Sequence, residues 1–135
     1  MSEDKQLLGG QSLATVLESY LADWSERTGI AVEIWALPGV DVPPPVSHGV
    51  MAAVREALSN VESHSGARTV SIAVTAGKGG LRMTVSDNGE GFPTSGTGRG
   101  IARMRAAFAE IGGTLSVSSV PGEGTTVIGV LQVRP

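Results

Sequence analysis

Three polar residues of this chain are spaced for the binding of a charged ligand. Glu56, Asn60 and His64 follow one another at four-residue intervals within a segment that has a helical apolar period. At about 100° per residue they form one slowly drifting stripe, which lies away from the apolar face of the helix. An Asn oxygen is a ligand suited to Mg²⁺, and a Glu one turn earlier could hold a metal-bound water or accept a proton. The same stripe also suits a polar helix face in water.

A second group of chemical interest is the run Asp87-Asn88-Gly89-Glu90-Gly91-Phe92, which follows an alternating apolar stretch. A carboxylate at this point can accept a hydrogen bond from an exocyclic amine such as the N6 amine of adenine. Gly89 and Gly91 have no Cβ and would let a flat ring lie close to the main chain. Asp, Asn and Gly also favour ordinary turns, so the run by itself fits a turn without a ligand.

Two further glycine turns occur downstream, Gly96-Thr97-Gly98-Arg99-Gly100 and Pro121-Gly122-Glu123-Gly124-Thr125. The first precedes a predicted helix, whose N-terminal amides would attract phosphate. It lacks the Gly-Lys-Ser/Thr ending of a P-loop, which excludes that mode of nucleotide binding. Thr125 could donate its hydroxyl to a ligand, although the second run also makes an adequate turn without one. Three arginines could meet phosphate charge or lie on the surface: Arg99, Arg103 and Arg105.

Composition restricts the class of protein. The chain has 135 residues, 41% hydrophobic and 17% charged, which is ordinary for a globular domain with a core. The formal net charge of −3 argues against a nucleic-acid surface. There are no cysteines and only two histidines, so disulfides and a zinc cluster are excluded. The sequence shows no signal peptide and no membrane-spanning segment, so we expect a cytoplasmic location.

Apolar periodicity predicts the elements that would position these residues. Helices are predicted over residues 12–27 and 46–64 and from near Ile101, with a proline-rich connection over 38–45. Strands are predicted over 30–37, 69–76, 81–86, 114–120 and 125–133. The second and third strands are predicted to form one hairpin, and the fourth and fifth another. The order predicts a two-layer α/β sandwich in which helices cover one face of a largely antiparallel sheet. Residues 1–11 are expected to be flexible, and residues 12–135 to form a single domain.

Taken together, these segments resemble the ATP-binding catalytic domain of sensor histidine kinases, in the GHKL superfamily. Arg55-Glu56-Ala57-Leu58-Ser59-Asn60 with His64 is similar to the N box. The run from Asp87 to Phe92 is similar to the G1 box. Gly98-Arg99-Gly100-Ile101, leading to Met104-Arg105, is similar to the G2 box. The form of the N box and the short link between the glycine boxes resemble the subfamily of nitrate-sensing and desaturase-regulating kinases. The implied fold is the Bergerat sandwich, a mixed, mostly antiparallel sheet covered on one face by three helices.

The resemblance implies a role for each matching residue. Asn60 would coordinate Mg²⁺, and Glu56 would be the polar catalytic residue near the γ-phosphate. Asp87 would bind the adenine amine, and Thr125 would support the adenine end. The other nucleotide-binding positions implied are His64 of the N box, Gly89 and Gly91 beside the ring, and Gly98, Gly100 and Ile101 of the lid.

Two departures from the family pattern matter. Arg103 stands where the subfamily usually has a small residue, and it could alter either lid packing or phosphate contact. The helical dimerisation domain with the phosphoacceptor histidine is missing, so we expect the chain to bind ATP but not to autophosphorylate alone. The implied partners are that domain and, indirectly, a response regulator, in a parent protein that could be membrane-anchored. A stand-alone anti-sigma-factor-like serine kinase and a nucleotide-free interaction module remain alternatives.

Overall fold

The computed structural model describes residues 12–89 and 99–132. Within these residues the chain forms three α-helices and five β-strands, in the predicted order. They are α1 (Leu13–Thr28), β1 (Ala31–Ala36), α2 (Pro44–Asn60), β2 (Thr69–Gly77), β3 (Gly80–Asp87), α3 (Arg99–Glu110), β4 (Thr114–Val120) and β5 (Gly124–Gln132). A π-helical turn, Val61–Ser65, follows α2 directly.

Capping residues set the ends of α1. The Ser12 hydroxyl accepts a hydrogen bond from the Thr15 backbone N–H at 3.2 Å, which satisfies one of the free amides of the first turn. At the other end Gly29 adopts a left-handed conformation with φ 79°, and its N–H donates to the Ser25 carbonyl at 2.9 Å. The helix therefore lies within one residue of the predicted range 12–27 at both ends.

The second helix differs from its prediction at both ends. It begins two residues earlier than predicted because Pro44 and Pro45 occupy its first turn, where a missing N–H and a fixed φ cost little. It ends at Asn60 rather than His64, since the next residues form the π-helical turn with its wider i→i+5 spacing. The regular stripe of polar residues predicted for this helix therefore ends at Asn60, and His64 lies beyond it in the turn.

The strands form one mixed sheet in the order β1-β2-β3-β5-β4. β1 and β2 are parallel, and the other three neighbouring pairs are antiparallel. The predicted hairpins are present, β2–β3 across residues 78–79 and β4–β5 across residues 121–123. The predicted class of sheet, mixed and mostly antiparallel, is confirmed.

Strand alternation turns one face of the sheet toward the helices. On β2 and β3 every second residue is buried, and the same row continues on β5 with Val127 and Leu131. The opposite face carries hydroxyl groups, such as Ser86 and Thr126, whose oxygens lie 3.0 Å apart. The helices supply the other half of the core and give the predicted two-layer sandwich. Its largest fully buried helical side chains are Trp24, Phe108, Leu13, Leu17, Leu21, Leu58 and Met104.

Phe108 of α3 makes a close contact with the sheet. Its ring lies on Gly129 of β5, where an added Cβ would come within 2.5 Å of the Phe108 Cζ. A Cβ added at Gly113 would lie 3.1 Å from the Phe108 Cδ2, and the Gly113 N–H donates to the Phe108 carbonyl at 2.7 Å. Small residues on the strand and at the end of the helix therefore let α3 lie directly against the backbone of the sheet.

We expect Gly129→Ala to destabilise the protein by about 1–3 kcal/mol, because the new methyl group would overlap the Phe108 ring in a packed core. Chemical denaturation followed by circular dichroism measures the change. Gly79→Ala is the matched control, since no heavy atom lies within 4 Å of its Cβ position and its φ is not left-handed. Equal free energies of unfolding for the two variants would contradict the packing argument.

Candidate functional site

Asp87 closes β3 on the face of the sheet that the helices cover. The register pairs it with Thr125 of β5, and Thr125 with Ser119 of β4. These three polar residues therefore form one row at the end of a face that is otherwise apolar. The preceding row on the same three strands is Val85, Val127 and Val117.

The Asp87 carboxylate is held by the backbone. Its Oδ1 accepts a hydrogen bond from the Gly89 N–H at 2.8 Å. Burial raises the pKa of the Asp87 carboxyl above its usual range, and the backbone N–H groups of Gly89 and Thr125 oppose this shift by stabilising the charged form. The carboxylate thus combines partial desolvation with a fixed orientation, which is the environment of a group that binds a hydrogen-bond donor.

The side chain of Asn88, the next residue, reaches the start of β2 instead of the site. Its Oδ1 accepts from the Thr69 N–H at 3.3 Å, and its own N–H donates to the Thr69 carbonyl at 3.4 Å. These two bonds tie the end of β3 to the start of β2. In this turn the Asp therefore faces the site while the Asn holds the sheet together.

Gly124 and Ser119 complete the arrangement around Thr125. Gly124 has φ 98°, and a Cβ there would overlap the Asp87 carbonyl oxygen, so only glycine lets β5 start this close to β3. The Thr125 side chain is 7% exposed, and its hydroxyl lies 2.8 Å from the Ser119 hydroxyl. Ser119 is not among the site residues predicted from the sequence. Its signal was a polar residue in phase with the apolar positions Leu115 and Val117.

The start of α3 lies directly against the end of α2. A Cβ at Gly100 would be 3.1 Å from Asn60 Oδ1 and 3.4 Å from Glu56 Oε1. Ile101, the next residue, is buried in the core and fixes this contact. Glu56 and Asn60 are therefore neither core residues nor a free polar surface, because they border the first turn of α3.

Two of the three arginines noted in the sequence have described side chains. Arg103 forms an ion pair with Glu56, with 3.4 Å between Nη1 and Oε2. Arg105 turns the other way, and its Nε donates to the Leu115 carbonyl at 3.4 Å. Arg103 is thus the member of this pair of arginines that reaches the residues of the candidate site.

A shallow pocket, partly open to solvent, lies between α2, α3 and the covered face of the sheet. Its polar lining residues come from separate elements: Asn60 from α2, Asp87 from β3 and Thr125 from β5. Its apolar lining residues are Ala57, Val61, Val85, Met104, Val117 and Val127. A mostly apolar pocket with a few convergent polar groups is the usual form of a small-molecule site.

The structure brings together most of the predicted site residues that it describes, at one end of the sandwich: Glu56, Asn60, Asp87, Gly89, Gly100, Ile101 and Thr125. Gly91 and Gly98 lie outside the described residues, as does the side chain of His64. Among residues 12–89 and 99–132 there is no group of three or more His, Cys, Asp or Glu side chains that could hold a metal ion. Over the same ranges no helix combines the length and the apolar character needed to cross a membrane.

Comparison with known families agrees with this geometry. The model of the histidine kinase-, DNA gyrase B- and HSP90-like ATPase family matches residues 46–135. The chain belongs to this family. The match runs from α2 through all the residues of the pocket, and it identifies the chain as an ATP-binding domain of the histidine kinase type.

Curated relatives of this ATPase-family chain include two sensor histidine kinases. LiaS of Bacillus subtilis is 32% identical over 123 residues, which cover 89% of this chain and 34% of LiaS. MctS of Rhizobium johnstonii is 32% identical over 133 residues, which cover 93% of this chain and 29% of MctS. The chain therefore spans about a third of the length of these relatives.

Solved structures show the same fold. The histidine kinase domain of the blue-light-activated kinase EL346 from Erythrobacter litoralis superposes with a TM-score of 0.78 at 24% identity, over 97% of this chain and 64% of that one. The ATP-binding domain of PrrB from Mycobacterium tuberculosis superposes with a TM-score of 0.70 at 22% identity, over 93% and 96% of the two chains. The predicted Bergerat-type sandwich is confirmed.

The raised pKa of Asp87 gives a stability prediction for the ATPase-family fold without nucleotide. The folded state holds this proton more tightly than the unfolded state, so protonation stabilises the fold at low pH. That contribution is lost as pH rises from the unfolded pKa of about 3.9 through the raised folded value. Asp87→Asn has no such proton, and its free energy of unfolding should therefore increase relative to wild type across this window and then stay constant.

Denaturant unfolding at a series of pH values from 3 to 8 measures this difference. Asp23→Asn, which removes an exposed carboxylate from α1, is the control for loss of one negative charge. A free energy of unfolding of Asp87→Asn that falls relative to wild type as the pH rises would contradict the assigned direction.

Proposed function

We propose that this chain binds ATP with Mg²⁺ and supplies the γ-phosphoryl group for transfer to a histidine on a separate dimerisation domain. The observation that supports this most directly is the pocket that Asn60, Asp87 and Thr125 share. It places a partly buried carboxylate at one end of an apolar cleft and a carboxamide at the side of α2. The family match independently implies a domain that binds ATP.

The Asp87 end of the pocket suits adenine. The carboxylate is oriented by two backbone donors and, with about four lone-pair sites, can still accept a hydrogen bond from the N6 amine. Val85 and Met104 offer apolar walls to a flat ring. The Thr125 hydroxyl pairs with the Ser119 hydroxyl and lies in the same row of the sheet as Asp87. It would contact the adenine base from the side of the sheet.

The Asn60 end suits the triphosphate and its metal. The side chains there provide one amide oxygen, from Asn60, with the Glu56 carboxylate one helical turn away. That set fits Mg²⁺, which keeps several waters and is bound by one or two protein oxygens together with substrate phosphates. It would not fit an ion that needs a complete protein cage. When bound, the ion would neutralise charge on the phosphate oxygens.

Glu56 is placed to act on the incoming nucleophile. Its side chain is 28% exposed, so it reaches solvent at the border of the pocket while it contacts the start of α3. A carboxylate there can accept the proton of a histidine ring as the ring attacks the γ-phosphorus, or hold that ring in line with the leaving oxygen. Most of the rate acceleration would come from such positioning and from charge neutralisation.

The acceptor histidine would belong to another part of the parent protein. The chain covers about a third of relatives that are named sensor histidine kinases, which leaves room in such proteins for the acceptor domain. His48 is exposed on α2, and His64 lies in the π-helical turn of the nucleotide domain itself. A response regulator would receive the phosphoryl group afterwards. The assignment to the nitrate-sensing and desaturase-regulating subfamily stays a prediction.

We expect Asn60→Ala to abolish the Mg²⁺-dependent part of the thermal stabilisation by ATP. Ligand at a hundred times its Kd stabilises a protein by about 2.7 kcal/mol, which is a shift of several degrees for a domain of this size. Differential scanning fluorimetry with ATP, with and without Mg²⁺, measures the shift. Ser59→Ala, an exposed neighbour on the same helix, is the control and should behave as wild type. An unchanged shift in Asn60→Ala would remove Asn60 from the metal site.

We expect Asp87→Asn to change the preference for the base. Its carboxamide can donate a hydrogen bond to the 6-oxo group of hypoxanthine, whereas the carboxylate only accepts. Binding of ADP should weaken by roughly tenfold or more, while binding of inosine diphosphate should stay equal or improve. Isothermal titration calorimetry gives both constants. A parallel loss for both nucleotides would mean that Asp87 does not contact position 6 of the purine.

A further inference from the structure

Arg103 brings a positive charge to the phosphate end of the proposed site. It lies one helical turn after Gly100, where an added Cβ would come within 3.4 Å of both Asn60 and Glu56. Its guanidinium pairs with Glu56 Oε2, while the other oxygen of the same carboxylate faces Gly100. The guanidinium is therefore separated from the proposed metal ligand by a single side chain.

The Arg103–Glu56 pair is held loosely. It has one contact, at 3.4 Å, which is longer than the usual 2.7–2.9 Å of a charge-assisted hydrogen bond. The Arg103 side chain is 58% exposed, and exposed pairs of this kind stabilise a fold very little. The ion pair between Arg27 and Glu62 is different, since its guanidinium reaches both carboxylate oxygens, at 3.0 and 3.5 Å. Little free energy is lost when Arg103 leaves Glu56.

A bound polyphosphate would compete for this guanidinium. It carries more negative charge than one carboxylate, and arginine binds phosphate oxygens through two parallel N–H donors. Without that cation the negative terminal phosphates would lie next to the negative Glu56 carboxylate, and these two groups would repel each other. Moving the guanidinium to the phosphate removes this conflict and also releases Glu56.

We propose that Arg103 is a nucleotide-binding residue which rests on Glu56 and transfers to the terminal phosphates when ATP binds. This inference depends on the proposed function, because it concerns the phosphate end of the same pocket. It assigns Glu56 two successive partners, first Arg103 and then, once the guanidinium has moved, the incoming histidine ring. The small residue that the family pattern predicts at this position could not make such an exchange.

Calorimetric titration of two ligands tests the proposal: AMP, and a non-hydrolysable ATP analogue with Mg²⁺. Arg103→Met should weaken binding of the analogue roughly tenfold, the low end for a charge-assisted hydrogen bond, and change AMP binding by less than about twofold. Arg103→Lys keeps the charge and should recover part of the loss. Arg105→Met is the matched control on the same helix, because Arg105 turns toward Leu115 and should leave both affinities unchanged.

Glu56→Gln supplies the second arm. It should strengthen binding of the analogue about two- to fivefold, the range expected when a weak competing ion pair is removed. Most of that gain should disappear in the Arg103→Met background, since no guanidinium is left to release. An equal gain in both backgrounds would show that Glu56 acts only through its own charge, and would overturn the exchange.

The remaining outcomes separate this proposal from the one on which it rests. An analogue-to-AMP affinity ratio that is unchanged by Arg103→Met and by Arg103→Lys would reduce the ion pair to a static link between α2 and α3. Should the Met variant fail to fold, the ratio in Arg103→Lys decides the question, together with the gain from Glu56→Gln compared between the wild-type and Arg103→Lys backgrounds. If the unsubstituted chain binds neither ligand, the proposed function itself fails.

Discussion

The Asp87 carboxylate is the group around which the pocket is built. Removing a carboxylate from water is unfavourable unless donors replace the lost hydration. Here the backbone N–H groups of Gly89 and Thr125 do so, which requires β3 and β5 to end side by side. Because side chains alternate between faces, a slip of one residue in this pairing would turn Asp87 outward and place Ser86 in the pocket. The register of the sheet and the polar end of the site are therefore one constraint.

The other half of the site depends on helix packing. Asn60 and Glu56 lie at the end of α2, and the start of α3 reaches them only because Gly100 has no side chain. At the opposite end of the same pair of helices, Gly49 contacts Ile111 in a similar way. The two helices are thus held close by small residues at both ends of their contact, and the carboxamide and carboxylate of α2 meet the first turn of α3 as a result.

Local patterns predicted the elements well because each has a strong period and clear end signals. The alternation of Leu81, Met83 and Val85 predicted β3, and Ser12 together with the glycine after Thr28 indicated the bounds of α1. The π-helical turn after Asn60 was missed, since its residues do not differ in type from those of an ordinary last helical turn. The true end of α2 depends on how the chain enters β2, which is a tertiary property.

Contacts between distant segments could not be predicted from residue types alone. Arg103 and Glu56 are 47 positions apart, and the sequence left open whether Arg103 serves lid packing, meets phosphate or lies on the surface. Its contact with Glu56 follows from the crossing of α2 and α3, which no local pattern encodes. The pairing of Ser119 with Thr125 is an intermediate case. The alternation of β4 placed Ser119 on the covered face, while its partner required the register with β5.

The contact of Phe108 with Gly129 has a mechanical consequence for the whole site. It anchors the C-terminal half of α3 to the middle of β5, whereas the first turn of the helix packs through the buried Ile101 and borders polar side chains of α2. A tilt of α3 about the Phe108 contact would displace the N-terminal part of the helix most, because that part lies farthest from Phe108. Gly100 and Arg103 lie there, so a small tilt would be amplified at the residues nearest the proposed phosphate end of the pocket.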